Sequence, residues 1–77
     1  MDESVELEIR ERLEQMGVTP LIGGLIPEQV TAELLGYAPS YFRRLAKDGH
    51  SPLPFVLRGN RRFYKIDDLR RFAAGSA

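Results

Sequence analysis

The side chains in this sequence that could do chemistry are mainly cations. Between residues 40 and 47, a hydroxyl and three cations recur at a spacing that places them within an arc of about 100° on a helix. They are Ser40, Arg43, Arg44 and Lys47, with Tyr41 at the flank of the arc. Solvated helices commonly balance such charges with acids at i,i+4, but this arc contains none. A solvated basic face is one interpretation. The favoured one is a helix in the DNA major groove, where arginine binds guanine and lysine or serine holds phosphate.

A second group of cations surrounds a tight turn in the string FVLRGNRRFY. Gly59-Asn60 fits a two-residue turn, so strands Phe55–Arg58 and Arg61–Tyr64 should pair with Arg58 facing Arg61. Facing like charges cost up to about 1 kcal/mol, which an external anion would offset. We therefore expect a wing that contacts a nucleic-acid backbone or minor groove, the alternative being an edge hairpin that its charges protect against aggregation. The wing residues expected to make these contacts are Arg58, Asn60, Arg61 and Arg62.

Catalytic and metal-binding chemistry has little support in the sequence. There is no cysteine, and the single histidine, His50, lies in a proline-containing loop without clustered carboxylates. The Asp67-Asp68 pair directly precedes Leu69, and we expect Asp67 to cap a last helix that runs from Asp68 to about Ala74. We expect no enzymatic activity, no catalytic residue, no metal site and no cofactor.

The elements that must position the cations follow the order helix, helix, hairpin, helix. The first helix should begin at Pro27 and end at Gly36, with Val30, Leu34 and Leu35 on its buried face. The second should run from Pro39 to about Asp48. Two short helices joined by a glycine-containing turn form a helix-turn-helix. The sequence therefore predicts an α+β fold, mainly α with a small β-hairpin: a winged helix-turn-helix.

An additional helix is expected in front of this domain. Val5, Ile9, Leu13 and Met16 recur at helical spacing, and Gly17 follows as a C-cap. This stripe could pair with a second copy, lie against a neighbouring copy on DNA, or pack on its own domain. The helix looks separate from the rest of the chain. The expected division is an acidic N-terminal helix (1–17), a linker (18–24), the winged helix-turn-helix domain (25–74) and a frayed tail (75–77).

The zero net charge hides an asymmetry between the two halves of the chain. Six acids face two arginines in residues 1–15, whereas nine bases face three acids in residues 41–77. Such asymmetry indicates either a polyanionic partner for the basic half or a salt-bridged surface. No apolar run approaches the roughly 18 residues of a membrane-spanning helix, and the acidic N-terminus is unlike a signal peptide. We expect no membrane partner and a cytoplasmic location.

Residues 25 to 73 resemble the excisionase-like, MerR-related winged-helix family, which includes phage excisionases and AlpA-type regulators. The resemblance depends on the order and spacing of several features rather than on one motif. They are Leu34-Leu35-Gly36, Arg44-Leu45, Gly49, the Arg-Gly-Asn-Arg-Arg wing, the aromatic after it and Asp67-Asp68-Leu69. Two features depart from the family pattern: Ala38-Pro39 stands where serine or threonine usually caps the recognition helix, and the acidic N-terminal helix has no counterpart.

The resemblance implies a sequence-specific protein for double-stranded DNA, with the residues at positions 40–47 in the major groove and the wing in the adjacent minor groove or on its backbone. It further implies an excisionase of a phage or mobile element, whose copies bind cooperatively, bend DNA and bias an integrase toward excision. A small AlpA- or MerR-type transcriptional regulator with the same surface is the alternative. A protein-interaction module, acting through the N-terminal helix, is the second alternative.

Overall fold

The chain folds into four helices and one three-stranded antiparallel sheet, as described for residues 2–75 by a computed structural model. In chain order the elements are α1 (Asp2–Gln15), β1 (Leu25–Pro27), α2 (Glu28–Leu35), α3 (Pro39–Lys47), β2 (Val56–Arg58), β3 (Arg61–Lys65) and α4 (Ile66–Gly75). This is the helix-rich α+β winged fold that the sequence predicts, so the fold class is confirmed. Within residues 2–75, no helix is both long enough and apolar enough to cross a membrane.

Helices α2 and α3 form the helix-turn-helix. Helix α2 begins one residue later than expected, because Pro27 keeps an extended backbone and directly precedes it. It ends at Gly36, whose φ of 88° is left-handed and suits glycine. The fully buried residues of α2 are Thr31 and Ala32, while the expected apolar positions Val30, Leu34 and Leu35 are half-buried. Helix α3 turns Phe42 and Ala46 inward.

The hairpin has the register that the sequence predicts. Strands β2 and β3 pair antiparallel with Arg58 opposite Arg61. Gly59 has a φ of 64° and Asn60 keeps a negative φ, as a two-residue turn with glycine at its first central position requires. The sheet also contains β1, which pairs with the other edge of β3. This third strand was not expected, because three residues ending in Pro27 are too few for a strand pattern to be recognised.

Helix α1 packs against α4 and contributes to the hydrophobic core. Ile9 and Leu13 are only 8% and 2% exposed, whereas Met16, the last residue of the same stripe, is 39% exposed. Gly17 ends the helix, as expected. The expectation that α1 is separate from the domain is therefore wrong, because α1 covers Leu69 and the rest of the core on the side of α4. The buried cluster consists of Ile9, Leu13, Ile26, Ala32, Phe42, Leu53, Tyr64, Ile66 and Leu69.

The segment expected to be a linker is a turn tied to the start of α4. The backbone N–H of Ile66 donates to the carbonyl of Gly24 at 2.8 Å. Because α4 begins at the buried Ile66, Asp67 lies in its first turn and not at its cap, so the cap assignment is wrong. Of the expected frayed tail, Gly75 is the last residue of α4, and residues 76–77 lie outside the described part of the chain.

Candidate nucleic-acid interface

Helix α3 carries the predicted basic face. Pro39 stands at its N-terminus, and the N-cap residue Ala38 makes no side-chain hydrogen bond to the helix. Because Phe42 and Ala46 point into the core, the opposite side of the helix faces solvent. The exposed residues of that side are Ser40, Tyr41, Arg43, Arg44 and Lys47. None of the three cations forms a salt bridge with a carboxylate of residues 3–75.

Tyr41 contacts one of these cations and a neighbouring aromatic ring. The guanidinium of Arg44 lies 6.0 Å from the centre of the Tyr41 ring. The Tyr41 ring in turn lies 6.2 Å from that of Tyr37, which packs at the edge of the core. A cation at this distance from a ring face is held by a weak attraction that still leaves its N–H groups free to donate. Tyr41 therefore supports the Arg44 side chain at the surface.

The tip of the wing presents two further exposed cations. Arg58 and Arg61 face each other across the β2–β3 turn, as predicted. Arg58 donates from Nη1 to the carbonyl oxygen of Leu57 at 3.2 Å, and the guanidinium of Arg61 lies 5.6 Å from the Phe63 ring. Neither forms a salt bridge within the part of the chain that the structure describes. The cost of facing like charges is thus not relieved by a described carboxylate.

The basic face of α3 and the wing border a common groove of about 850 Å³. Ser40 and Arg43 line it from α3, and Asn60 and Arg61 line it from the tip of the wing. The structure thus brings together residues that are about twenty positions apart in the chain, as expected of a recognition helix and its wing. Arg44 and Lys47 lie further along the same face of α3, around a second, smaller depression.

Arg62, unlike Arg58 and Arg61, forms a salt bridge with a described carboxylate. Its Nε donates to Oε2 of Glu28 at 2.7 Å, and the two side chains are only 20% and 15% exposed. Hydrogen bonding to Glu28 raises the pKa of the Arg62 guanidinium above its usual value. Arg62 was expected to contact nucleic acid together with Arg58 and Arg61, but unlike them it is already paired with a described carboxylate. The sequence offered no signal for this pairing, since 34 residues separate the partners.

Tyr64 is the second partner of the same carboxylate. Its hydroxyl donates to Oε2 of Glu28 at 3.1 Å, and its side chain is fully buried. Burial raises the pKa of the Tyr64 hydroxyl to about 12, because the charged phenolate is disfavoured away from water. The hydroxyl therefore stays protonated and donates at physiological pH.

The arginines of α4 are neutralised within their own helix. Arg70 pairs with Asp67 at 2.6 Å, and Arg71 pairs with both Asp67 and Asp68 at 2.9 Å. The hydrogen bond from Arg70 lowers the pKa of the Asp67 carboxyl below its ordinary value. The unpaired positive charge of the C-terminal half therefore lies outside α4. Its cations without a salt bridge to any described carboxylate are Arg43, Arg44, Lys47, Arg58, Arg61 and Lys65.

Among the described residues, no three histidine, aspartate or glutamate side chains lie close enough together to hold a metal ion. His50 is exposed in the loop that follows α3. The groove between α3 and the wing is lined by the cations Arg43 and Arg61 together with two carboxylates, Glu28 and Glu33. Its arginines can bind phosphates and base edges.

The comparisons with known proteins add no relative. No family model matches the chain, and neither a curated protein nor a solved structure matches it.

Proposed function

We propose that this chain is a sequence-specific binding protein for double-stranded DNA. Helix α3 enters the major groove, and the β2–β3 wing lies on the adjacent minor groove or its backbone. The observation that carries the proposal is the shared groove, which Ser40 and Arg43 line from α3 and Asn60 and Arg61 line from the wing. Two separated elements present cations without carboxylate partners to one concave surface, and a polyanionic duplex is the ligand that neutralises both.

Each element has a distinct role in this proposal. Arg43 and Arg44 project from an exposed helix face and can each donate two hydrogen bonds to guanine O6 and N7, so they select bases. Lys47 and the wing residues Arg58 and Arg61 hold phosphates, which set affinity and register but carry no sequence information. Asn60 and Ser40 are uncharged and add further hydrogen bonds to the DNA.

Within this function we propose the role of an excisionase, acting without an enzymatic step in the cytoplasm of a bacterial or phage-infected cell. The support for this finer assignment is the resemblance carried by the ordered features from Leu34-Leu35-Gly36 to Asp67-Asp68-Leu69. In this role, copies bound side by side bend the attachment-site DNA and bias an integrase toward excision. Bending lets a duplex contact more protein surface, which repays its deformation energy.

Binding is tested first, with duplexes selected from a random pool by the purified protein. Arg43→Ala and Arg71→Ala remove the same charge from two helices, but Arg71 is already paired on α4 and lies outside the groove. We expect Arg43→Ala to weaken binding of the selected duplex and to broaden its consensus, while Arg71→Ala binds as the wild type does. Affinity that is independent of salt, or equal losses in both variants, would contradict the proposed interface.

The excisionase role needs its own experiment. The protein is combined with an integrase and attachment-site DNA that contains the selected sequence, and the ratio of excision to integration is measured. We expect the protein to raise that ratio. An unchanged ratio with intact DNA binding would remove the excisionase assignment and leave transcriptional regulation through the same surface.

A further inference from the structure

We propose that Glu28 is a positioning residue that fixes the wing relative to the recognition helix, and that Arg62 serves this contact and does not bind DNA. The inference rests on the proposed DNA-binding function and extends it to a residue that carries the wrong charge to touch a phosphate. Glu28 stands at the first turn of α2 and lines the same groove as Arg43 and Arg61.

A single oxygen of Glu28 holds two side chains of the wing strand. Oε2 accepts from Nε of Arg62 at 2.7 Å and from the hydroxyl of Tyr64 at 3.1 Å. Arg62 and Tyr64 are two residues apart on β3, so their side chains leave the strand on the same face, toward α2. Two charge-assisted hydrogen bonds, one of them within an ion pair, thereby tie the base of the wing to the helix-turn-helix.

Tyr64 extends this connection to the recognition helix itself. The centre of its ring lies 5.2 Å from the ring centre of Phe42, which is buried on the inner side of α3. It lies 5.9 Å from the ring centre of Phe55, which precedes β2. The guanidinium of Arg62 lies 5.7 Å from the same Phe55 ring. One cluster of side chains therefore touches α2, α3, β3 and the residue before β2. The position of the wing is coupled to that of the helix that reads the bases.

The contact lies next to the residues that it would position. Arg62 is adjacent in sequence to Arg61, and Leu57, its partner across the hairpin, is adjacent to Arg58. A hairpin held this close to its tip gives up less conformational freedom when it binds, and a smaller entropic cost means higher affinity. If the contact is broken, the two cations of the tip remain but no longer hold one orientation over the backbone.

Two glutamates on α2 allow a matched test. Glu28→Gln and Glu33→Gln each remove one acid from the lining of the same groove, so repulsion of DNA phosphates falls in both variants. Only Glu28 is tied to the wing, since Glu33 is exposed and has no salt bridge within residues 2–75. Binding of the selected duplex is measured against salt concentration, at a temperature where circular dichroism shows both variants fully folded.

We expect Glu33→Gln to bind as tightly as the wild type or slightly more tightly. Glu28→Gln should bind the duplex more weakly than the wild type, by about eightfold at 100 mM salt for each phosphate that the wing no longer holds. Its log-log salt slope should be shallower by about 0.9 for each such phosphate. The opposite result would overturn the inference: tighter binding with a steeper slope in Glu28→Gln would mean that Arg62, once released, contacts phosphate itself.

A measurement without DNA separates this inference from the proposed function. We expect the backbone NMR order parameters of residues 57–61 to fall in Glu28→Gln and to stay at wild-type values in Glu33→Gln. Unchanged order in Glu28→Gln would refute the positioning role even if duplex binding is strong. Loss of order in a protein that binds no duplex would refute the proposed function alone. If Glu28→Gln does not fold, Tyr64→Phe keeps the ion pair, removes the 3.1 Å hydrogen bond and is judged by the same order parameters.

Discussion

Replacing Arg61 and Arg62 by alanine, one at a time, should affect two different properties of the protein. The residues are adjacent and carry the same charge, but Arg61 is exposed without a salt bridge to a described carboxylate, whereas Arg62 pairs with Glu28 at 2.7 Å. We expect Arg61→Ala to lower DNA affinity with little change in folding stability. We expect Arg62→Ala to destabilise the fold.

The effect on DNA binding follows from counterion release. The three cations that hold phosphates in this proposal, Lys47, Arg58 and Arg61, would give a log-log salt slope of about −2.7 for the wild type and about −1.8 for Arg61→Ala, at about 0.9 per contact. Between 50 and 200 mM salt the wild type should lose affinity by about 40-fold and Arg61→Ala by only about 12-fold. At 100 mM salt the variant should bind about eightfold more weakly, on every duplex sequence alike.

The effect on stability follows from the burial of the ion pair. Glu28 is 15% exposed, so removal of Arg62 leaves a largely buried carboxylate with Tyr64 as its remaining partner. We expect a loss of about 2 kcal/mol in the free energy of unfolding, which in a domain of this size lowers Tm by about 10 °C. Arg61→Ala removes only a weak contact with the Phe63 ring, worth below about 1 kcal/mol.

Both properties can be measured on the same samples. Fluorescence anisotropy with a labelled duplex gives the salt slope, and thermal denaturation followed by circular dichroism gives Tm. Equal Tm values in the two variants would show that the Arg62–Glu28 pair does not contribute to stability. A wild-type salt slope in Arg61→Ala would show that the wing tip does not contact phosphate, and its unpaired cations would then no longer support DNA binding.

Three further predictions concern the core, the recognition helix and pH. In urea denaturation, Leu13→Ala should lower the free energy of unfolding by about 2–5 kcal/mol, because Leu13 is 2% exposed. Leu7→Ala on the same helix should lower it by less than about 0.5 kcal/mol, because Leu7 is 62% exposed. Equal losses would show that α1 does not belong to the core. In competition binding against single-base variants of the selected site, Arg44→Ala should weaken discrimination at one or two base pairs by about 1–3 kcal/mol, and Lys47→Ala should weaken all sites alike. Folding should hold the pKa of Tyr64 at about 12, above the value of about 10 in the unfolded chain. The protonated Tyr64 hydroxyl therefore makes its full contribution to the free energy of unfolding below pH 10 and loses it between pH 10 and 12. The measurement is the free energy of unfolding across this pH range, which should fall further in the wild type than in Tyr64→Phe.

Much of the candidate site could be predicted from short stretches of sequence. The basic arc of α3 depends only on helical spacing, and every residue assigned to it is exposed. The facing of Arg58 and Arg61 depends only on a two-residue turn at Gly59-Asn60, whose glycine adopts the required positive φ. The predicted end of α2 at Gly36 also agrees with the structure, because a glycine that ends a helix is a local signal. In each case the decisive interactions lie within a few residues along the chain.

Contacts between distant segments could not be predicted in this way. Nothing near Glu28 in the sequence indicates that it accepts hydrogen bonds from Arg62 and Tyr64 on β3. Strand β1 was missed because its ladder depends on β3, about 38 residues later. Helix α1 was placed outside the domain because its stripe shows only that one face is apolar and not which surface covers it.

The sequence by itself determined the local geometry of two basic elements: spacing along a helix and the conformation of a two-residue turn depend on neighbouring residues alone. The tertiary structure decided which charges remain available. It brought α3 and the wing to one groove, neutralised Arg62 with Glu28, and paired Arg71 with the acids of α4. The physical reason is that a charge is free or paired according to what the packed core places within hydrogen-bonding distance of it.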